Sequence, residues 1–99
     1  MDEAFVGTKL KYLVNIESEG FSLVDDIFEI ILKRGSVVMT FTKDDLVFRD
    51  GNYYLCFDSE PFGAGTVSAV ARAYVPDADF HDGKRTEVLR VDLVKLRTP

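Results

Sequence analysis

Ninety-nine residues suffice for one domain and are too few for two independent cores. With 46% apolar and 29% charged residues the chain is ordinary globular material rather than disordered. Its net charge of −5 argues against nucleic-acid binding, which rests on lysine and arginine neutralising phosphates.

Cys56 is the single cysteine, so no internal disulfide can form. No run approaches the roughly 20 apolar residues of a membrane span. Met1-Asp2-Glu3-Ala4-Phe5 lacks the basic start and apolar stretch of a secretory signal, so the expectation is a chain made and kept in the cytoplasm.

In chain order, residues 9–17 form the first β-rich run, with Leu10, Tyr12, Val14 and Ile16 on one face by strand alternation. Residues 26–33 form the second, with Phe28, Ile30 and Leu32 on one face and Ile27, Glu29, Ile31 and Lys33 on the other. Its brevity, its β-branched residues and the stop at Arg34-Gly35 favour a strand over a two-turn helix. Residues 36–41 group Val37, Met39 and Phe41, and Lys33-Arg34-Gly35-Ser36 is the turn that joins these two runs. Thr42-Lys43-Asp44-Asp45 has the spacing of a capping box, with no long apolar-periodic segment after it, so a single helical or 3₁₀ turn is expected.

Residues 46–49 and 52–58 flank Asp50-Gly51, a strong hairpin signal because such turns need positive φ. Residues 59–64, containing Pro61 and Gly63, read as a linker. Residues 65–75 alternate Val67, Ala69, Ala71, Ala73 and Val75 against Thr66, Ser68, Val70, Arg72 and Tyr74. Their small members suggest close approach to the opposite sheet or to a bulky neighbour. A polar loop over 76–85 precedes the last run, residues 86–96, where Leu89, Val91 and Leu93 alternate with Arg90 and Asp92. One face of that run is expected to meet water. Seven runs predict an all-β, antiparallel, Greek-key sandwich of immunoglobulin-like type, with an ordered core over about 9–96 and a small barrel as the alternative.

Catalytic chemistry finds few reactive groups. His81 and Cys56 are the only histidine and cysteine. Cys56 lies between Leu55 and Phe57 and reads as a small buried hydrophobe. Gly63-Ala64-Gly65 lacks the third glycine of a dinucleotide fingerprint and reads as a turn. Asp77, Asp79 and Asp82 precede Gly83 in a loop of hard oxygen donors, which makes calcium the one candidate cofactor. The Asp25-Asp26 and Asp44-Asp45 pairs read as solvated turns. Phe62 and Phe80 in loops, with Tyr54 beside Tyr53, are the candidate partner-binding aromatics, although a loop ring can equally plug the end of a sandwich.

Asp50, Tyr54 and Cys56 resemble the immunoglobulin signature with Asp, Tyr and Cys at positions one, five and seven, which implies a tyrosine-corner strand here. The chain departs from it in having no second cysteine and no tryptophan, and alternation makes Tyr53, Leu55 and Phe57 the apolar face. Over residues 12–95 the chain also resembles short acidic β-domains of phage and prophage tail or baseplate proteins. The resemblance lies in Phe28-Glu29-Ile30-Ile31-Leu32, Thr42-Lys43-Asp44, the stretch from Tyr53 to Asp58 with its Gly-rich loop, and Asp82-Gly83-Lys84-Arg85-Thr86-Glu87-Val88. It implies a virion-associated assembly or adaptor domain.

The expected function is therefore a non-catalytic structural or interaction module. It would meet a protein partner or a second copy through its loops or an unpaired edge strand, the last run among them, with no nucleic acid or membrane involved. The alternative is a calcium- or ligand-binding module built on loop 77–83.

Overall fold

The computed structural model describes residues 1–99. Eight strands carry the fold: β1 (Asp2–Phe5), β2 (Lys9–Val14), β3 (Ile27–Arg34), β4 (Val37–Thr42), β5 (Val47–Arg49), β6 (Asn52–Asp58), β7 (Gly65–Pro76) and β8 (Lys84–Arg97). There is no α-helix, only single 3₁₀ turns at Lys43–Asp45 and Glu60–Phe62. The larger sheet runs β1-β8-β7-β3-β4 and the smaller β2-β6-β5. Neither closes on itself, so the barrel alternative does not hold.

Alternation places the faces as expected. Phe28, Ile30 and Leu32 of β3, with Val67, Ala69, Ala73 and Val75 of β7, turn inward. They meet Val14, Tyr53, Leu55 and Phe57 from the smaller sheet. Ala73 lies beside Phe28 in the β3–β7 register, and both are buried. The small residues of β7 therefore make room for a bulky neighbour, as their size suggests.

The local punctuation also matches. Asp50 and Gly51 have φ of 52° and 81°, the two consecutive positive values of a hairpin turn whose twist suits its flanking strands. At Thr42 the Asp45 carboxylate accepts from the backbone N–H at 2.8 Å and from the hydroxyl at 3.1 Å, closing the one-turn helix. Lys43 donates from Nζ to the carbonyls of Asp26, at 2.9 Å, and Val24. Its ammonium also lies over the rings of Phe28 and Tyr53, tying the loop before β3 to the core.

Two expectations about strands need correction. The ordered fold begins at β1, not at residue 9, and β1 runs parallel to β8, with Asp2 opposite Val94 and Phe5 opposite Arg97. Asp-Glu-Ala-Phe has little strand propensity of its own. The edge of β8 makes it a strand, helped by the Glu3–Arg97 ion pair at 2.6 Å.

The second correction concerns β8. A bulge shifts the register so that Val67 faces Val94 but Ser68 faces Asp92, leaving Leu93 without an opposite residue. Beyond the bulge Val91 and Leu89 lie opposite Ala69 and Ala71, on the inward face. The smaller sheet does not extend over them, and they are 55% and 42% exposed. Both faces of this stretch meet water, where alternation predicts only one.

Candidate interaction surface

The acidic loop is held by its own turns. Asp77 N–H donates to the Gly83 carbonyl at 2.8 Å, Phe80 N–H to the Asp77 carbonyl at 3.3 Å and Gly83 N–H to the Phe80 carbonyl at 2.9 Å. Asp77 Oδ1 accepts from the Asp79 N–H at 3.0 Å and Oδ2 from the Arg85 guanidinium at 2.9 Å. The Asp79 amide and then Arg85 hold the Asp77 carboxyl below its ordinary range. Asp82 accepts from the Lys84 N–H at 3.4 Å. Asp77, Asp79 and Asp82 do not converge, and no group of three histidine, cysteine or acidic side chains does so anywhere in the chain.

Arg85 goes on to pair with Glu87 at 2.9 Å and reaches Ser18 and the Glu19 carbonyl. A cation at this loop would have to displace it from Asp77. Millimolar calcium is therefore expected to leave the melting temperature where chelator leaves it. A calcium-dependent rise, erased by Asp79→Ala, would instead identify a site by mass action.

The three aromatics fall in three places. Phe62 is fully buried, packed edge-on against Phe57 at 5.9 Å between ring centroids, with Arg34 Nε donating to its carbonyl. It plugs the end of the sandwich and offers no face to a partner. Gly65, with φ of 132°, leaves the space Arg34 occupies, since a Cβ there would stand 2.8 Å from Arg34 Cδ. The Gly-x-Gly is thus a passage for an arginine. Phe80 is exposed at the far end of β7 from Phe62. Tyr54 is half-buried on the outer face of the smaller sheet, beneath the Lys11 ammonium at 4.6 Å.

Cys56 shares that outer face and is exposed, correcting the expectation of a buried thiol. Its neighbours Leu55 and Phe57 are core residues, and alternation turns the residue between them outward. His81 sits in the β7–β8 loop, whereas Cys56 lies on β6 of the smaller sheet opposite Lys11. The paired aspartates act in turns: Asp26 accepts from the Ser22 N–H at 2.8 Å, and Asp25 from the Ser22 hydroxyl at 3.1 Å.

The surface that remains is the open side of the sandwich. Between β2 and β8 lies a groove of about 120 Å³ whose lining is almost wholly apolar, including Tyr12, Ile16, Ala71, Val91 and Leu93. On its outer side β1 pairs only with residues 94–97 of β8. From Lys84 to Asp92 the outer edge of β8 has no strand neighbour, so every second residue directs its backbone N–H and C=O into solvent. Val88 is exposed on one face of this stretch, Leu89 and Val91 on the other. The signal was present in the sequence: within 86–96, Val88 breaks the alternation and puts apolar residues on both faces of a strand otherwise rich in charge.

Comparison with protein-family models, with curated proteins and with solved structures returned no match to this chain.

Proposed function

We propose that this protein is a non-catalytic structural and interaction module that meets a protein partner through the open side of its sandwich. The observation that carries this reading is the run 84–92 of β8, which combines an unpaired backbone edge with exposed Val88, Leu89 and Val91. Strand addition to such an edge supplies affinity through main-chain hydrogen bonds and specificity through alternate side chains. Nucleic acid and membranes play no part in this reading.

The strand order supports an immunoglobulin-like sandwich. The order β8-β7-β3 in one sheet and β2-β6-β5 in the other is the order expected of such a domain, with β4 as one added strand and the first strand placed on the last strand rather than in the smaller sheet. The Asp50, Tyr54 and Cys56 motif does not add to this. It falls on β6 in the smaller sheet, whereas a tyrosine-corner strand lies beside the last strand, the position of β7. The resemblance to phage and prophage tail or baseplate domains supports an assembly or adaptor role in a virion.

A double variant, Leu89→Thr with Val91→Thr, tests whether the strip serves binding or folding. Threonine keeps strand propensity and removes apolar surface, so the variant is expected to unfold within about 1 kcal/mol of the parent in urea. A larger loss would assign the strip to the core and overturn the reading.

A further inference from the structure

We infer that the partner of this edge is a second copy of the chain, joined antiparallel through β8 about a twofold axis at Val88. The inference rests on the interaction reading above and names its partner.

The free, unbulged part of β8 is residues 84–92, and Val88 is its midpoint. Its outward-facing side chains read Lys84, Thr86, Val88, Arg90, Asp92. Antiparallel pairing with a copy of itself about Val88 sets Lys84 directly opposite Asp92, twice by symmetry, and Val88 opposite Val88. Cross-strand pairs of this kind, opposite charges and β-branched apolar residues, are the favourable ones. The inward face is complementary as well. Arg85 then lies opposite Val91 and Glu87 opposite Leu89 of the other copy. Arg85, which bridges Glu87 and Asp77 at 2.9 Å each, and Glu87 then set their aliphatic stems against the exposed apolar residues.

Neighbouring registers fit less well. A twofold at Arg90 opposes two guanidinium groups, and one at Glu87 opposes two carboxylates. A twofold at Leu89 runs the pairing through the bulge at Leu93 and brings Lys84 of the copy against Val94, where β1 already pairs. Centred on Val88, the strand residues of the copy end at Lys84 opposite Asp92, two residues short of Val94, where β1 begins. The two larger sheets become one. The other long free edge, β4, spans six residues with no charged side chain, so nothing there selects a partner or a register.

Light scattering behind size exclusion, from micromolar to millimolar, is expected to give twice the 11.1 kDa chain mass. Register is read by single cysteines in a Cys56→Ser background. Val88→Cys places two Cα atoms about 4.5–5.5 Å apart, within disulfide reach. Arg90→Cys places them about 13 Å apart at the rise of a strand, beyond it. Val88→Cys should therefore cross-link at least roughly tenfold faster than Leu89→Cys or Arg90→Cys. Asp92→Lys should dissociate the dimer without lowering the monomer's melting temperature, and Lys84→Asp added to it should restore the dimer.

A dimer that cross-links best through Leu89 or Arg90, or through Thr40→Cys on β4, would overturn the assignment while leaving an interaction module. A monomer at every concentration would remove the second copy as partner. The stability of the Leu89→Thr, Val91→Thr variant decides separately whether the strip is a binding surface.

Discussion

Phe62→Ala is expected to cost about 3–5 kcal/mol, roughly a fifth or more of the stability of an ordinary domain of this size. The ring is fully buried against Phe57, the Arg34 guanidinium is anchored on its carbonyl, and the 3₁₀ turn Glu60–Phe62 holds it at the mouth of the sandwich. Collapse around the cavity is hindered because both sheets meet there. Each kcal/mol lowers the melting temperature of a domain this long by about 4–8 °C, so the variant should show a large drop in a thermal melt. Phe80→Ala, at an exposed loop tip, is expected to fall within about 0.5 kcal/mol of the parent. Equal losses from the two would mean that the loop tip folds onto the body and that the contrast between plug and exposed ring is wrong.

Ser59→Ala should cost about 1–3 kcal/mol although it removes a single oxygen. Ser59 is the one buried polar residue of the core. Its hydroxyl accepts from the Gly7 N–H at 3.0 Å and donates to the Thr8 carbonyl at 2.7 Å. Its own N–H donates to the same carbonyl at 3.2 Å. These bonds clamp the turn between β1 and β2 onto the start of the second 3₁₀ turn, across some fifty residues of sequence. Alanine leaves the Gly7 N–H without its side-chain acceptor at a part-buried site. Hydrogen exchange should therefore speed up first at Gly7 and along β1, with the rest of the larger sheet protected. Unchanged protection at Gly7 would mean that another group or water takes over the bond.

The parts legible in the sequence are those set by neighbours along the chain. Alternation sorts Phe28, Ile30 and Leu32 from Ile27, Glu29 and Ile31, because successive side chains of a strand must point to opposite faces. Asp50-Gly51 and Thr42 to Asp45 announce their turns through φ and capping chemistry that depend on a few adjacent residues. Cys56 was also legible: the alternation that made Tyr53, Leu55 and Phe57 the core face turns it outward. Apolar flanks signal burial of those flanks and, by the same rule, exposure of the residue between them.

Phe62 and Phe80 show where such reasoning stops. Each is an aromatic residue in a polar, turn-rich loop, and nothing local separates a plug from an exposed ring. The difference is that Phe62 follows β6, whose Leu55 and Phe57 lie in the core between the sheets, while Phe80 sits at the exposed tip of the β7–β8 hairpin. Ser59 was hidden for a related reason. Its partners Gly7 and Thr8 are local to one another but remote from it in sequence.

By itself, then, the sequence determined that this chain is a set of strands with defined faces and turns, because steric limits on φ and the period of two act over a few residues. Only the tertiary structure decided which strands are neighbours, that Asp2–Phe5 becomes a strand on β8, and that the smaller sheet stops short of Leu89 and Val91. An apolar residue reads the same in sequence whether a second sheet covers it or not. Coverage depends on how far a three-stranded sheet spans a five-stranded one, and that is settled by the packing of the whole domain.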